Sequence, residues 1–230
     1  MKQVLSFLNA WINIYLAPRQ SFSVIKSEPE KHKVWLPLLL LLAASLTTGL
    51  LTADLTKDYQ RELLMNSDKY SSEQKEEIAK RFEAPVNPAM IAMPVIGWSL
   101  ISIAALAGIY LFVGNFFGGG QIRYWTMASI IAYVSLIDVL AAAIKTPLML
   151  IQQNALIDTS LALIFPVRDL GNIWYQAAMQ FDLFLVWKLI LLIIAFQTFF
   201  GFSRKKSIAL VLPVWLSFRL IAFLMLQLSS

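Results

Sequence analysis

The chain has 230 residues, 58% of them hydrophobic and 14% charged, with a mean hydropathy of +0.66 and a formal net charge of +5. About a quarter of an ordinary soluble domain is charged, so this composition excludes a typical water-soluble globule and requires a chain folded as one bundle within a membrane. The absence of cysteine removes disulfides, thiolate metal sites and cysteine nucleophiles, and the single histidine, His32, cannot supply a metal's ligand set alone.

In chain order, the first segment reads MKQVLSFLNAWINIYLAP. It places Val4, Leu5, Leu8, Trp11, Ile12 and Tyr15 on one helical stripe opposite Ser6, Asn9 and Asn13. This predicts an amphipathic helix lying in the plane of the interface, within a cytoplasmic segment covering residues 1–33. A signal peptide is the rival reading, but polar residues interrupt its apolar region and no small-residue cleavage pattern follows. His32, between Lys31 and Lys33 at the membrane boundary, reads as a solvated interfacial side chain.

Residues 34–230 form the membrane domain. A helix needs roughly 20 apolar residues to cross the hydrocarbon, and five runs qualify: Val34 to Thr52, Met90 to Phe116, Trp125 to Leu150, Leu183 to Phe202 and Ser207 to Leu228. The predicted fold class is therefore all-α, a polytopic bundle of five transmembrane helices. Tryptophans at positions 35, 98, 125, 174 and 187 lie near the proposed interfaces. Between the first two spans, an external loop over residues 53–88 holds six basic and eight acidic residues, a formal charge of −2. Within it Ser71 and Gln74 have capping-box spacing and introduce a short solvated helix. Ile78 and Phe82, one turn apart, either dock that helix on the bundle, the favoured choice, or present it to a protein partner. Gly118, Gly119 and Gly120 read as a flexible turn. They lack the Lys and Ser/Thr of a phosphate-binding loop. TSLALIFP, after the third span, is too short to cross and is expected to fold against the outer face. Asp169 and Asp182 read as outer loop or cap residues.

Nine basic residues fall on one side: Lys2, Arg19, Lys26, Lys31, Lys33, Arg123, Arg204, Lys205 and Lys206. Short basic loops stay in the cytoplasm, which puts the N-terminus inside and, with five spans, the C-terminus outside. These charges are spread over membrane-flanking loops with no nucleic-acid-binding motif, so membrane lipids, anionic ones included, are the expected partners and nucleic acid is not.

Four ionisable residues lie within the spans: Asp138, Lys145, Lys188 and Arg219. A charge at mid-bilayer costs about 3 kcal/mol on insertion scales, so these residues form the candidate intramembrane charge site. At 1.5 Å per residue, Asp138 and Arg219 lie roughly 18 to 20 Å from the inner ends of their helices and Lys188 roughly 21 Å. Lys145, near 30 Å, is able to snorkel outward. Asp138 is predicted to pair with Arg219 or with Lys188. One anion cannot neutralise two deep cations, and the remainder is a positive site for a lipid phosphate or another anion. Catalytic residues, a cofactor and a metal site are not expected, because no nucleophile–base set or paired acidic motif occurs.

Taken in order, LAPRQSF ahead of the first span, FFGGG after the second, ASIIAYVSL within the third, TSLALIF after it, and FDLFLVWKLILLIIAF leading to SRKKSIALVLPVW resemble the Yip1 family, in its bacterial five-span inner-membrane branch. The resemblance spans nearly the whole chain. Similar proteins often carry a proline in the middle of the third span, where this chain has Leu136, Ile137 and Asp138. The resemblance implies a role in membrane organisation; eukaryotic members are associated with small GTPases and vesicle traffic. The leading expectation is a non-enzymatic bacterial inner-membrane protein that organises or scaffolds the membrane. The alternatives are a transporter or scramblase for an anionic lipid or small anion, and a membrane subunit binding an extracytoplasmic or membrane protein through the acidic loop.

Overall fold

The computed structural model describes residues 11–67, 69–167 and 171–229. A helical stretch over residues 11–16 precedes ten α-helices in these residues: α1 (Pro18–Ser27), α2 (Trp35–Leu51), α3 (Ala53–Met65), α4 (Ser72–Glu83), α5 (Pro88–Phe112), α6 (Tyr124–Val134), α7 (Leu136–Gln152), α8 (Ile173–Met179), α9 (Leu183–Phe200) and α10 (Arg204–Ser229). A π-helical turn, Val113–Phe117, extends α5, and a 3-10 turn, Leu161–Ile164, precedes α8.

Four stretches are long and apolar enough to cross a membrane: Pro88–Phe117, Tyr124–Gln152, Leu183–Phe200 and Arg204–Gln227. The pair α2 and α3, bent by 63° at Thr52, brings the number to five if it counts as one span. The protein is thus a multi-pass, all-helical membrane protein with four or five spans among the described residues. Helix α3 lies where the sequence reading placed only loop. Its charged residues disguise a helix that the apolar-run criterion passes over.

The chain forms two compact units, residues 1–41, 101–138 and 158–230 in the first and 42–100 with 139–157 in the second. In the first, α6 is the central helix, with Met127, Ala128, Ile130, Ile131, Ala132, Tyr133 and Val134 all buried. Ala107 on α5 and Ala195 on α9 are also fully buried. Small residues let helix backbones approach where lipid is as apolar as the side chains. Within the third predicted span the helix is interrupted at Ser135. Ser135 N–H donates to Ile131 O at 2.9 Å, but Asp138 N–H turns back three residues to Ser135 O at 2.9 Å, and α6 gives way to α7. A tightened turn makes this break without a proline.

The glycine-rich turn is packed rather than flexible. A Cβ on Gly114 or on Gly120 would lie 2.2 Å from a ring atom of Phe200, so the ring occupies space that only glycine leaves. Phe200 stacks in turn on Phe202, with centroids 4.9 Å apart. The Asn115 side chain closes the loop, donating to Ile122 O at 2.9 Å and accepting from Ile122 N–H at 3.1 Å. Lys206 donates to Gly118 O at 2.7 Å and sits 4.3 Å from the Phe202 ring centre.

Helix α1 packs on α9 through buried Ser21, Phe22 and Ile25, with Phe22 edge-on to Phe199. Lys26 donates to Thr198 O at 2.7 Å and Arg19 to Gln197 Oε1 at 3.3 Å, so the basic residues of α1 sit at the C-terminal end of α9, where the helix dipole favours them. Of the predicted N-terminal stripe, Val4, Leu5 and Leu8 lie outside the described residues. Of the remaining members, Trp11 and Tyr15 are half-buried and Ile12 is 54% exposed, while Ile14, outside the stripe, is buried.

In the second unit α2 and α7 meet through Thr48 and Thr146, whose hydroxyls are 2.8 Å apart. Helix α4 begins with the predicted box: Ser71 Oγ accepts from Gln74 N–H at 3.3 Å, and Gln74 Oε1 accepts from Ser71 N–H at 2.9 Å. Lys80 pairs with Glu76 at 2.8 Å and Arg81 with Glu77 at 2.7 Å on its exposed face. Ile78 and Phe82 are half-buried, and Phe82 lines a cavity of about 680 Å³ together with Lys57, Met90 and Pro94.

Candidate functional site

The intramembrane charges sort into a pair and a remainder. Asp138, in the first turn of α7, accepts from Lys188 of α9 at 2.6 Å. This is one of the two partners the sequence allowed, and Arg219 is not the one chosen. The break at Ser135 sets the position: it begins a new helix at Leu136 and places the carboxylate in its first turn, where a negative charge complements the helix dipole. Both side chains keep some access, at 25% for Lys188 and 40% for Asp138. Geometry of this quality offsets the cost of two charges, and opposite charges in contact are how a span tolerates them.

Tyr15 is a member of this site that sequence reasoning assigned only to an apolar stripe. Its hydroxyl donates to Leu136 O at 2.7 Å, and Trp11 Nε1 donates to the same hydroxyl. Burial, and to a smaller degree the nearby Asp138 charge, pushes the Tyr15 hydroxyl up to about 12, while the Trp11 bond acts the other way. It therefore remains a donor at any physiological pH. The signal available beforehand was the amphipathic tip of a tyrosine on an otherwise apolar segment.

Arg219 stands apart on α10. Among the described residues its buried Nε has no hydrogen-bond partner, and its guanidinium lies 5.9 Å from the Trp215 ring centre. It lines a cavity of about 370 Å³ with Gln180, Phe181, Ser217 and Phe223. A buried donor that finds no acceptor in the protein is costly, and a cation–π contact compensates for only part of that cost. Lys145 is half-buried on α7 in the second unit.

His32 departs from its expected solvated state. It is 1% exposed, and its Nδ1 is 2.9 Å from the Tyr133 hydroxyl of α6. Burial holds the imidazole below its ordinary value; Glu28 opposes that shift and Lys31 adds to it. Asp182 caps α9, accepting from Phe184 N–H at 2.9 Å and Leu185 N–H at 3.3 Å, and it also accepts from the Thr159 hydroxyl. Asp169 lies outside the described residues. The TSLALIFP segment forms the 3-10 turn, capped by Ser160, whose Oγ accepts from Ala162 N–H at 3.1 Å. Among the described residues no group of three or more His, Asp and Glu side chains is arranged to hold a metal ion.

Comparison with known proteins matches the chain to the Yip1 domain over residues 12–226. Curated proteins and solved structures gave no match.

Proposed function

From the premise that this chain belongs to the Yip1 family, we propose that it is a non-enzymatic protein of the bacterial inner membrane that organises the bilayer around a five-span bundle. In this reading the bent pair α2 and α3 supplies the first span, the N-terminus is cytoplasmic and the C-terminus external. The observation that carries the proposal is the anchoring of residues 11–27. Tyr15, Phe22 and Lys26 fasten them to the bundle, while Ile12 and the 81%-exposed Leu16 remain apolar and uncovered. A segment held in this way lies in one leaflet at the depth of the headgroup boundary and expands that leaflet against the other. Its attachment to the spans turns local insertion into a fixed shape of the surrounding membrane.

Reconstitution into liposomes tests this. Vesicles containing the wild type should shift to smaller diameters in electron cryo-micrographs, and the shift should disappear with Ile12→Ser/Leu16→Ser, which leaves the buried contacts in place. Equal diameter distributions for the wild type, the variant and protein-free vesicles would refute it.

A second reading rests on Arg219. A cation whose Nε lacks an acceptor, in a mostly apolar cavity, is suited to an anionic lipid or small anion that enters from the bilayer, as a transporter or scramblase requires. Arg219→Leu should then abolish movement of a fluorescent anionic lipid between the leaflets of reconstituted vesicles. The absence of such movement in the wild type would remove this reading.

A further inference from the structure

At the end of the first unit that carries α1, a separate cavity of about 490 Å³ lies between the α1–α2 connection and the start of α6. Lys33 and Arg123 are its cations and Glu30 its one carboxylate, Thr126 and Ser129 supply hydroxyls, and Trp35 and Trp125 form parts of its wall. We propose that this cavity binds the phosphate of a glycerophospholipid headgroup, a role that goes beyond the membrane-organising reading and does not depend on it.

Three observations carry the assignment. The first is a set of unused donors. Among the described residues, the Arg123 guanidinium and the Thr126 and Ser129 hydroxyls have no hydrogen bond or ion pair. Hydroxyls at other helix positions can be satisfied on their own helix: Ser99, Thr198 and Ser217 each donate to the carbonyl four residues back, at 2.7, 3.0 and 2.9 Å, and those of Thr126 and Ser129 do not. Positions 123, 126 and 129 are spaced by three, which stacks their side chains along one side of the α6 entry. The second is charge. Among the described residues the partner of Lys33 is Glu30, at 3.1 Å, and both side chains are more than half exposed, so the contact is weak and leaves the ammonium open to a stronger acceptor. A guanidinium fork, an ammonium and two hydroxyls match the several acceptor oxygens of a phosphodiester.

The third observation places the ligand. Trp35 and Trp125 are 46% and 71% exposed beside the cavity, and each opens a membrane-directed helix. Indole rings favour the headgroup level, so the mouth of the cavity lies where lipid phosphates are. A phosphate in the cavity leaves the glycerol and acyl chains to run along the apolar surface below. A free phosphate would satisfy the same donors but would gain nothing from the indoles.

Native mass spectrometry of the full chain in mild detergent tests the proposal, using phosphatidylglycerol, diacylglycerol of the same chains and inorganic phosphate as probes. Wild type and Arg219→Leu are both measured so that the Arg219 cavity is read separately. Both should bind a phosphatidylglycerol that Arg123→Gln/Lys33→Gln weakens by about tenfold or more, the scale of losing charge-assisted hydrogen bonds. Arg204→Gln/Lys205→Gln removes the same charge outside the cavity and should leave that lipid bound. Diacylglycerol should not compete, and inorganic phosphate should compete only far more weakly. Equal losses in the two double variants would overturn the site, and inorganic phosphate binding as tightly as the lipid would overturn the lipid assignment. If Arg123→Gln/Lys33→Gln does not yield folded protein, Thr126→Val, which keeps every charge, must still weaken the same lipid several-fold; an unchanged affinity there would also overturn the site.

Discussion

Neutralising Asp138 should cost far more than removing it together with its partner. Asp138→Asn leaves Lys188 charged within a span, and a lone charge at that depth costs about 2.5 to 3.5 kcal/mol on insertion scales. The partial exposure of both side chains lets water or headgroups reach them and lowers this, so a loss of about 2 kcal/mol is expected. Lys188→Met strands the carboxylate instead and should cost a similar amount. The double variant, Asp138→Asn/Lys188→Met, carries no charge at the site and should lie within about 1 kcal/mol of the wild type, because buried ion pairs replaced whole are often neutral. The expected coupling is thus about 3 to 4 kcal/mol, well above the few tenths seen for independent sites. Unfolding of the purified protein by SDS in mixed micelles, followed by tryptophan fluorescence, measures all four corners of the cycle. Additive single and double losses would show that the 2.6 Å contact does not hold α7 to α9.

Gly114→Ala must displace the Phe200 ring and should destabilise the protein by about 1 to 3 kcal/mol in the same assay, with much of that recovered in a Phe200→Leu background. For His32, the unfolded chain takes up a proton near 6.5 and the buried imidazole only at a lower pH. Stability should therefore be full above 6.5 and fall as pH drops through the window beneath it, a slope that Glu28 moderates and that denaturation of His32→Gln should lack. Ser71→Ala removes half of the capping box and should cost about 0.5 to 2 kcal/mol locally, seen as faster amide exchange in α4 with no change in the spans. Arg219→Leu should leave thermal stability unchanged or raise it, since it relieves an unbonded buried donor; a large loss would mean that the guanidinium holds the helices together.

What could be read from the sequence was whatever depends on neighbours along the chain. The long apolar runs, the Ser71 box and the Asp182 cap are local patterns, and each has its structural counterpart. The Asp138–Lys188 contact was legible as one of two possibilities because charges in spans have few partners to choose from. His32 was misread because its environment is set by Tyr133, 101 positions away, and nothing in the basic segment around it records that. The break at Ser135 was hidden for a different reason. Neither proline nor glycine marks it, and the choice between a bond to the third or the fourth preceding carbonyl leaves no trace in hydropathy. The triple glycine showed where the chain turns, but only the Phe200 ring lying against it shows that the turn is closely packed.

Lys26 and Lys206 each donate to a backbone oxygen, Thr198 O and Gly118 O. An ammonium held in this way must give up that hydrogen bond before its nitrogen can react or turn toward lipid. Amine-reactive reagents applied to the folded protein should therefore modify exposed Lys205 before either of them, and acetylation of Lys26 or Lys206 should loosen the fold rather than merely change its surface charge. Two of the nine basic residues that the sequence reading groups on one side are in this sense fasteners.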